Sequence, residues 1–489
     1  GAALVAAFMI TFYATGGLVA VGTLAVNLAI ILGVMATLGA ALTLPGLAGI
    51  VLTIGMAVDA NILIFERMRE ELAQGCTPAA ANRAGYRKAL TTIVDAHLVQ
   101  LIICGIMIWL GHGPIRGFGV TLLIGVLSTL FSVLITAHMV MEILLESGRL
   151  KKLTFRRLVK DLRVDFVKYG KPAFIASWLV VLMGVAVILH RGERIYGTDF
   201  TGGDVVNLQF TRQAPAEAEI RSVAAASGLK EINVTTVRPA GSARESMNIE
   251  VPEGKGSAVS DALRRAFPES GFEQLGQDHV GAAVGRETQF NALLAVGVSM
   301  LVILVYIAFR FELGYGIGAV VATLHDLLMT IGIFVLTGRQ FNAPMVAALL
   351  CIAGYSINET VVVFDRIREE LKLNPSGSLR EVVNDALRKV FARTIMTAST
   401  TFLAALALYL FGGGVLQDIS FTFLVGIVSA TFSAIFVAAQ VFYWWHRGDR
   451  GRVEGEPIDP EQRRPWLRAA APAKAGVKVA ERWNALSNT

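Results

Sequence analysis

The chain has 489 residues, 54% of them hydrophobic and only 17% charged, with a mean hydropathy of +0.58. That composition excludes an ordinary soluble domain and predicts a polytopic membrane protein. The net charge of +6 fits an inner membrane face in contact with anionic lipids rather than a nucleic-acid partner, and the positions of Cys76, Cys104 and Cys351 match neither a metal site nor a disulfide framework.

In chain order, apolar runs predict eleven spans: 2–13, 18–43, 46–66, 90–111, 117–145, 172–190, 290–310, 315–337, 343–365, 392–411 and 419–445. The first is too short to cross a bilayer about 30 Å thick. Lys and Arg collect in 67–88, 149–171, 366–393 and the tail after Tyr443. Alternating spans put all four segments on one side, which is therefore the cytoplasm. The long segment 191–289 lies on the other side. Within it, 205–211, 232–237, 247–251 and 272–280 read as strands, and 215–227 and 257–267 as helices, with a Pro-Ala-Gly-Ser turn at 239–242. The order βαββαβ predicts a ferredoxin-like layer.

The two membrane halves repeat each other. Gly55-Met-Ala-Val-Asp-Ala-Asn61 with Phe65-Glu-Arg67 corresponds to Gly354-Tyr-Ser-Ile-Asn358 with Phe364-Asp-Arg366, 299 positions later. Gly125, Ser128, Phe131 and Ser132 match Gly426, Ser429, Phe432 and Ser433. Both copies enter from the same side, so the repeat is parallel, a six-helix unit used twice. By symmetry a further span and outer domain are expected before Gly1. The predicted division is a first membrane half at 1–147, a basic amphipathic linker at 148–171 on the inner face and a span at 172–190. The outer domain at 191–289, the second membrane half at 290–446 and a charged, disorder-prone tail at 447–489 complete it.

Each copy places an acid inside an apolar helix, an expensive arrangement whose default reading is functional. Asp59 aligns with Asn358, and Glu359 with Ala60. One residue is about 100° around a helix, so the acids are not symmetry mates. Arg393 aligns with Thr91, so the cation belongs to the second half alone. We read Asp59, Glu359 and Arg393 as an ion relay, with a Glu359–Arg393 pair as its resting state and Asn358 as a hydrogen-bonding neighbour. Asp326, His325 and Asp95 form a possible second relay; for them, and more so for His97 and His138, the competing reading is polar glue between helices. The Arg67/Arg69 and Arg366/Arg368 clusters are expected to end helices at the cytoplasmic surface. Asp199, Phe200, Gly202 and Gly203 mark a hinge into the outer domain.

These motifs together resemble the SecDF family, fused SecD/SecF auxiliary subunits of the bacterial protein-export translocon. Gly55–Asn61 with Phe65–Arg67 resembles the SecD signature. Tyr196-Gly-Thr-Asp-Phe-Thr-Gly-Gly203, Ala322-Thr-Leu-His-Asp326, Gly354–Asn358 with Phe364–Arg368, and Arg393-Thr-Ile-Met-Thr397 resemble SecF. The resemblance implies a bundle of the resistance-nodulation-division type in the bacterial inner membrane. It implies use of the proton gradient to promote preprotein movement on the outer side, with SecYEG, YajC, YidC, preprotein and membrane lipids as partners. It places an Asp and an Arg corresponding to Glu359 and Arg393 in the proton path. The family usually carries Asp where this chain has Glu359, which keeps the charge and lengthens the reach. No cofactor, metal or enzymatic site is expected; H+ is the coupling ion, with Na+ as the alternative. A small-molecule or lipid exporter on the same fold, and a passive translocon scaffold, are the competing functions.

Overall fold

Inside a bilayer the backbone must satisfy its own hydrogen bonds, so apolar runs of this length become helices. In the computed structural model, residues 1–446 are described except 41, 151–152, 157–163, 211–214, 228, 230–231, 238–245, 311 and 375. The expected tail over 447–489, the turn at 239–242 and part of the basic linker lie outside the described residues. The membrane helices are α1 (2–13), α2 (15–37), α3 (Leu44–Ala73), α4 (Pro78–Leu110), α5 (Pro114–Glu146) and α6 (Phe166–Arg191). After the outer domain come α10 (Ala282–Arg310), α11 (Leu313–Leu336), α12 (Ala343–Leu373), α13 (Leu379–Phe411) and α14 (Val415–Trp445).

Among the described residues ten helical segments, not eleven, are long and apolar enough to span. The difference lies at the start, where α1 and α2 form one run, Ala2–Thr37, broken at Ala14 (φ 46°, ψ −118°). A side chain on Gly17 would collide with the backbone of Met9 and Ile10. The chain therefore doubles back at Ala14, and glycine is required where the two arms touch.

Helix starts follow local chemistry. Thr43 caps α3 and Thr77 caps α4 through bonds to Gly46 and Ala80, with proline in the first turn of each. Ser378 and Glu381 form a capping box on α13. The repeat is visible in the details: α5 and α14 carry π-helical segments at Ser132–Ala137 and Ala434–Ala438, each beginning at or just after the matched serine. The central helices are α3 and α12, with 83% and 89% of their most apolar stretches buried, against 17% for α6. These two carry the duplicated motif.

The outer domain contains a short helix α7 (Thr198–Thr201), then β1 (Gly203–Phe210), α8 (Glu217–Ala226), β2 (Asn233–Val237), β3 (Ser246–Val251), α9 (Gly256–Ala266) and β4 (Phe272–Val280). Its strands form one antiparallel sheet in the order β2-β3-β1-β4, the expected βαββαβ layer. Val206, Leu208, Phe210, Ile220, Ile249 and Val259 build its core.

Candidate functional site

Asp59 lies near the middle of α3, Glu359 near the middle of α12 and Arg393 near the middle of α13. Two glycines let these helices approach. A side chain on Gly55 would press within 3.0 Å of Thr401 on α13, and one on Gly354 would meet Ile103 and Gln100 of α4. The glycine that opens each motif copy is thus where the two halves cross.

Beside these crossings lies a cavity of about 30 Å3, lined by Asp59, Asn358, Glu359, Arg393 and Thr397, with Thr92, His97 and Gln100 from α4. That is room for about two waters. All four residues of the expected relay line it. Glu359 is 5% exposed, and Thr397 donates a 3.2 Å hydrogen bond to its Oε1. The expected Glu359–Arg393 resting pair is not formed: among the described residues no ion pair within 4.0 Å joins Arg393 to either acid. The three charged groups instead line one water-sized cavity, with both acids outside ion-pair distance of Arg393. The Asn358 Oδ1 and both polar atoms of Gln100 are buried without a partner, and such groups call for water.

Arg393 and Leu63 also line a second cavity of about 20 Å3, with Glu66, Arg67, Glu70, Arg366 and Lys389. The clusters expected to end helices lie near the ends of α3 and α12, and their Arg67 and Arg366 also join the two halves. Arg67 bonds Glu369 at 3.0 Å and Glu70 at 3.1 Å, while Arg366 bonds Glu369 at 2.9 Å and approaches Glu70 at 3.4 Å. Each arginine thus reaches the acid of the other copy. Thr92, a lining residue of the first cavity, donates to Asp365 at 3.1 Å.

The second set of expected residues does not join this cavity. Asp326 is fully buried and accepts from Ser356, Ser429 and Ser433, each at 2.6 Å, with His325 Nδ1 at 3.1 Å. Its carboxylate therefore ties α11 to α12 and α14. In the first half Asn27, 299 positions before Asp326, donates its side-chain N–H to Thr129, and its backbone carbonyl accepts from Ser128. Asp95 pairs with Arg310 of α10 at 2.8 Å.

The hinge motif turns out to be docked. Asp199 Oδ2 accepts the backbone N–H of Ala343 at 2.9 Å, at the first turn of α12, where the N-cap Asn342 makes no side-chain cap of its own. Burial raises the Asp199 carboxyl above its ordinary range, and the Ala343 N–H opposes this. Gly197 and Phe341 exchange backbone bonds with this strip, Gly197 N–H to Phe341 O and Phe341 N–H to Ile195 O, both at 2.7 Å. Gly202 (φ 77°) and Gly203 (φ 150°) make the turn into β1. The helix that carries Glu359 therefore begins at the root of the outer domain.

Sequence reasoning missed Thr92, Gln100 and Thr397 as cavity residues and weighed His97 lightly. A signal existed: Thr92, Ala96 and Gln100 recur every four residues, with His97 three before Gln100, the spacing of one helix face.

The chain matches the family model for the C-terminal part of the protein export membrane proteins SecD/SecF over residues 2–147 and 259–448, which take in both membrane halves and the end of the outer domain. The chain is 35% identical to the protein translocase subunit SecDF of Brucella abortus, over 94% of its own length and 61% of that protein. It is 36% identical to the SecDF of Thermus thermophilus, over 80% of its length and 52% of the relative. Against the SecF of Desulfurispirillum indicum it is 37% identical and covers 91% of that shorter protein. The crystal structure of the Thermus SecDF, described as a translocon-associated membrane protein, superposes with a TM-score of 0.82 at 35% identity, covering 91% of this chain and 61% of that one. The chain thus spans a little over half the length of the SecDF relatives it matches.

Proposed function

The chain belongs to the SecD/SecF family of protein export membrane proteins, and from that premise we propose that it couples proton movement to preprotein export. It is a multi-pass membrane protein, here assigned to the bacterial inner membrane as an auxiliary subunit of the Sec translocon, with SecYEG as its direct partner. The observation that carries this reading is the cavity that brings together Asp59 of one half, Glu359 of the other and Arg393.

Two carboxylates and one guanidinium around a wet space hold one proton more or less at little structural cost. With both acids ionised, the site has one uncompensated negative charge; one proton neutralises it. The charge balance across the two halves thus changes with each proton. α12 carries this change from Glu359 to Ala343, where Asp199 roots the outer domain. A proton crossing 100 mV releases about 2.3 kcal/mol, enough to shift two states of similar energy by well over tenfold. The lining supports H+ over Na+, because hard cations take all-oxygen sites and this one includes a guanidinium and an imidazole. Asp326 and Asp95, held by fixed partners, stay outside the relay.

The test is proton uptake and preprotein export in vesicles, with Glu359→Gln, Asp59→Asn and Arg393→Ala. Each variant is expected to abolish the gradient-dependent part of export while the protein stays folded. Full gradient-sensitive export in all three would leave the chain a scaffold, and dependence on Na+ rather than pH would replace the ion.

A further inference from the structure

We propose that His97 is a third proton-exchanging group of the cavity, passing protons through water between Glu359 and Asp59. This rests on the relay reading above and adds a residue to it. His97 lies on α4, lines the same cavity as both acids and is 8% exposed. Its Nδ1 sits 2.8 Å from the carbonyl oxygen of Ile93. A carbonyl can only accept, so Nδ1 carries the hydrogen of the neutral ring. Nε2 is then left with its lone pair, an acceptor for a further proton. A structural histidine on an apolar helix is accounted for by that one backbone bond. Here the bond accounts for one nitrogen, and the ring still borders a polar space.

The neighbours supply the route. Gln100 is one turn further along α4, 1% exposed and unpartnered at both amide atoms. Asn358 presents an unpartnered Oδ1 from α12. Together they can orient the roughly two waters that the cavity admits. The charged groups facing His97 are Asp59 from α3, Glu359 from α12 and Arg393 from α13. Asp95, on its own helix, is occupied by Arg310. In the transfer, the O–H of Glu359 breaks as water relays its proton, and an N–H bond forms at Nε2. The imidazolium then releases that same proton to the Asp59 carboxylate, and the Nδ1–H bond to Ile93 persists throughout. No other reactant is consumed.

The test uses the full chain in vesicles under an imposed gradient, with internal pH read by a trapped dye from pH 5 to 8. His97→Gln and His97→Asn both keep an amide donor for Ile93. Each is expected to slow proton uptake by about tenfold or more near neutral pH and to remove one titration step from the pH profile, with Glu359→Gln inactive. An unchanged profile in both variants, or a uniform loss at every pH with the step retained, overturns the role of His97 while an inactive Glu359→Gln leaves the relay reading standing. An active Glu359→Gln overturns both.

Discussion

Asp326 accepts three serine hydroxyls at 2.6 Å, whereas Asp59 borders a water-sized space that it shares with Arg393. Two acids in one bilayer thus meet opposite demands. A fully buried carboxylate saturated with donors is a fixed joint, whereas a partly buried one beside a water-sized cavity is placed for the proton exchange proposed above. Asp326→Ala should therefore act on stability, leaving hydroxyls without partners at about 1–3 kcal/mol for each that finds no substitute. A lower unfolding midpoint in detergent, with proton uptake per folded molecule unchanged, is the expected result. The glycines follow the same logic. Gly354→Val would drive a side chain into Ile103 and Gln100, so it should part α12 from α4 and impair uptake, measured alongside a cross-linking assay between those helices. What sets the cavity residues apart is the contrast between partnered and unpartnered polar groups, and that contrast exists only once the helices are packed.

At the scale of elements, α12 joins the site to the outer domain, and Asp199 is the fastening. Loss of an N-cap costs about 0.5–2 kcal/mol, too little to unfold the protein but enough to free the root of the domain. Asp199→Ala is expected to keep proton uptake and lose its coupling to export. Within the domain, Asp204 Oδ1 meets His279 Nδ1 at 2.6 Å and Asp204 Oδ2 accepts from Gly256 at 2.8 Å, joining β1 to β4 and α9. The bond to Asp204 raises the His279 imidazole above its ordinary value. Burial works to raise the Asp204 carboxyl, but the bonds from His279 and Gly256 hold it below the usual range. The histidine contribution is complete below its unfolded value of about 6.5 and lost as pH rises through the raised value. The aspartate contribution is complete above about 3.9 and lost as pH falls through the lowered value. Stability of the domain, read as hydrogen-exchange protection of β1 and β4 after correction for intrinsic exchange, should thus be greatest between about pH 4 and 6.5, and His279→Ala should flatten its upper limb.

For the whole molecule, much was legible in one dimension. The outer strands could be read to within two residues because their alternation has period two and turns bound it. The α1–α2 junction fell in the gap between the apolar runs 2–13 and 18–43, and the cavity acids Asp59 and Glu359 stood out by their cost inside an apolar run. The contacts between halves were not legible, since nothing in the spacing of Arg67 says that it ends on Glu369, 302 residues away. A double-mutant cycle on Arg67→Ala and Glu369→Ala should return a coupling of about 0.5–3 kcal/mol, read from detergent unfolding. That reciprocal pairing, with Arg366 reaching back toward Glu70, has a mechanical meaning. It pins α3 and α12 together at their cytoplasmic ends, below the relay, while their outer ends carry no such lock among the described residues. Under the proposed coupling, a small change of angle at Asp59 and Glu359 would grow with distance along α12, as at the blades of scissors closed on a rivet. The largest displacement would fall at Ala343, where Asp199 meets the domain outside.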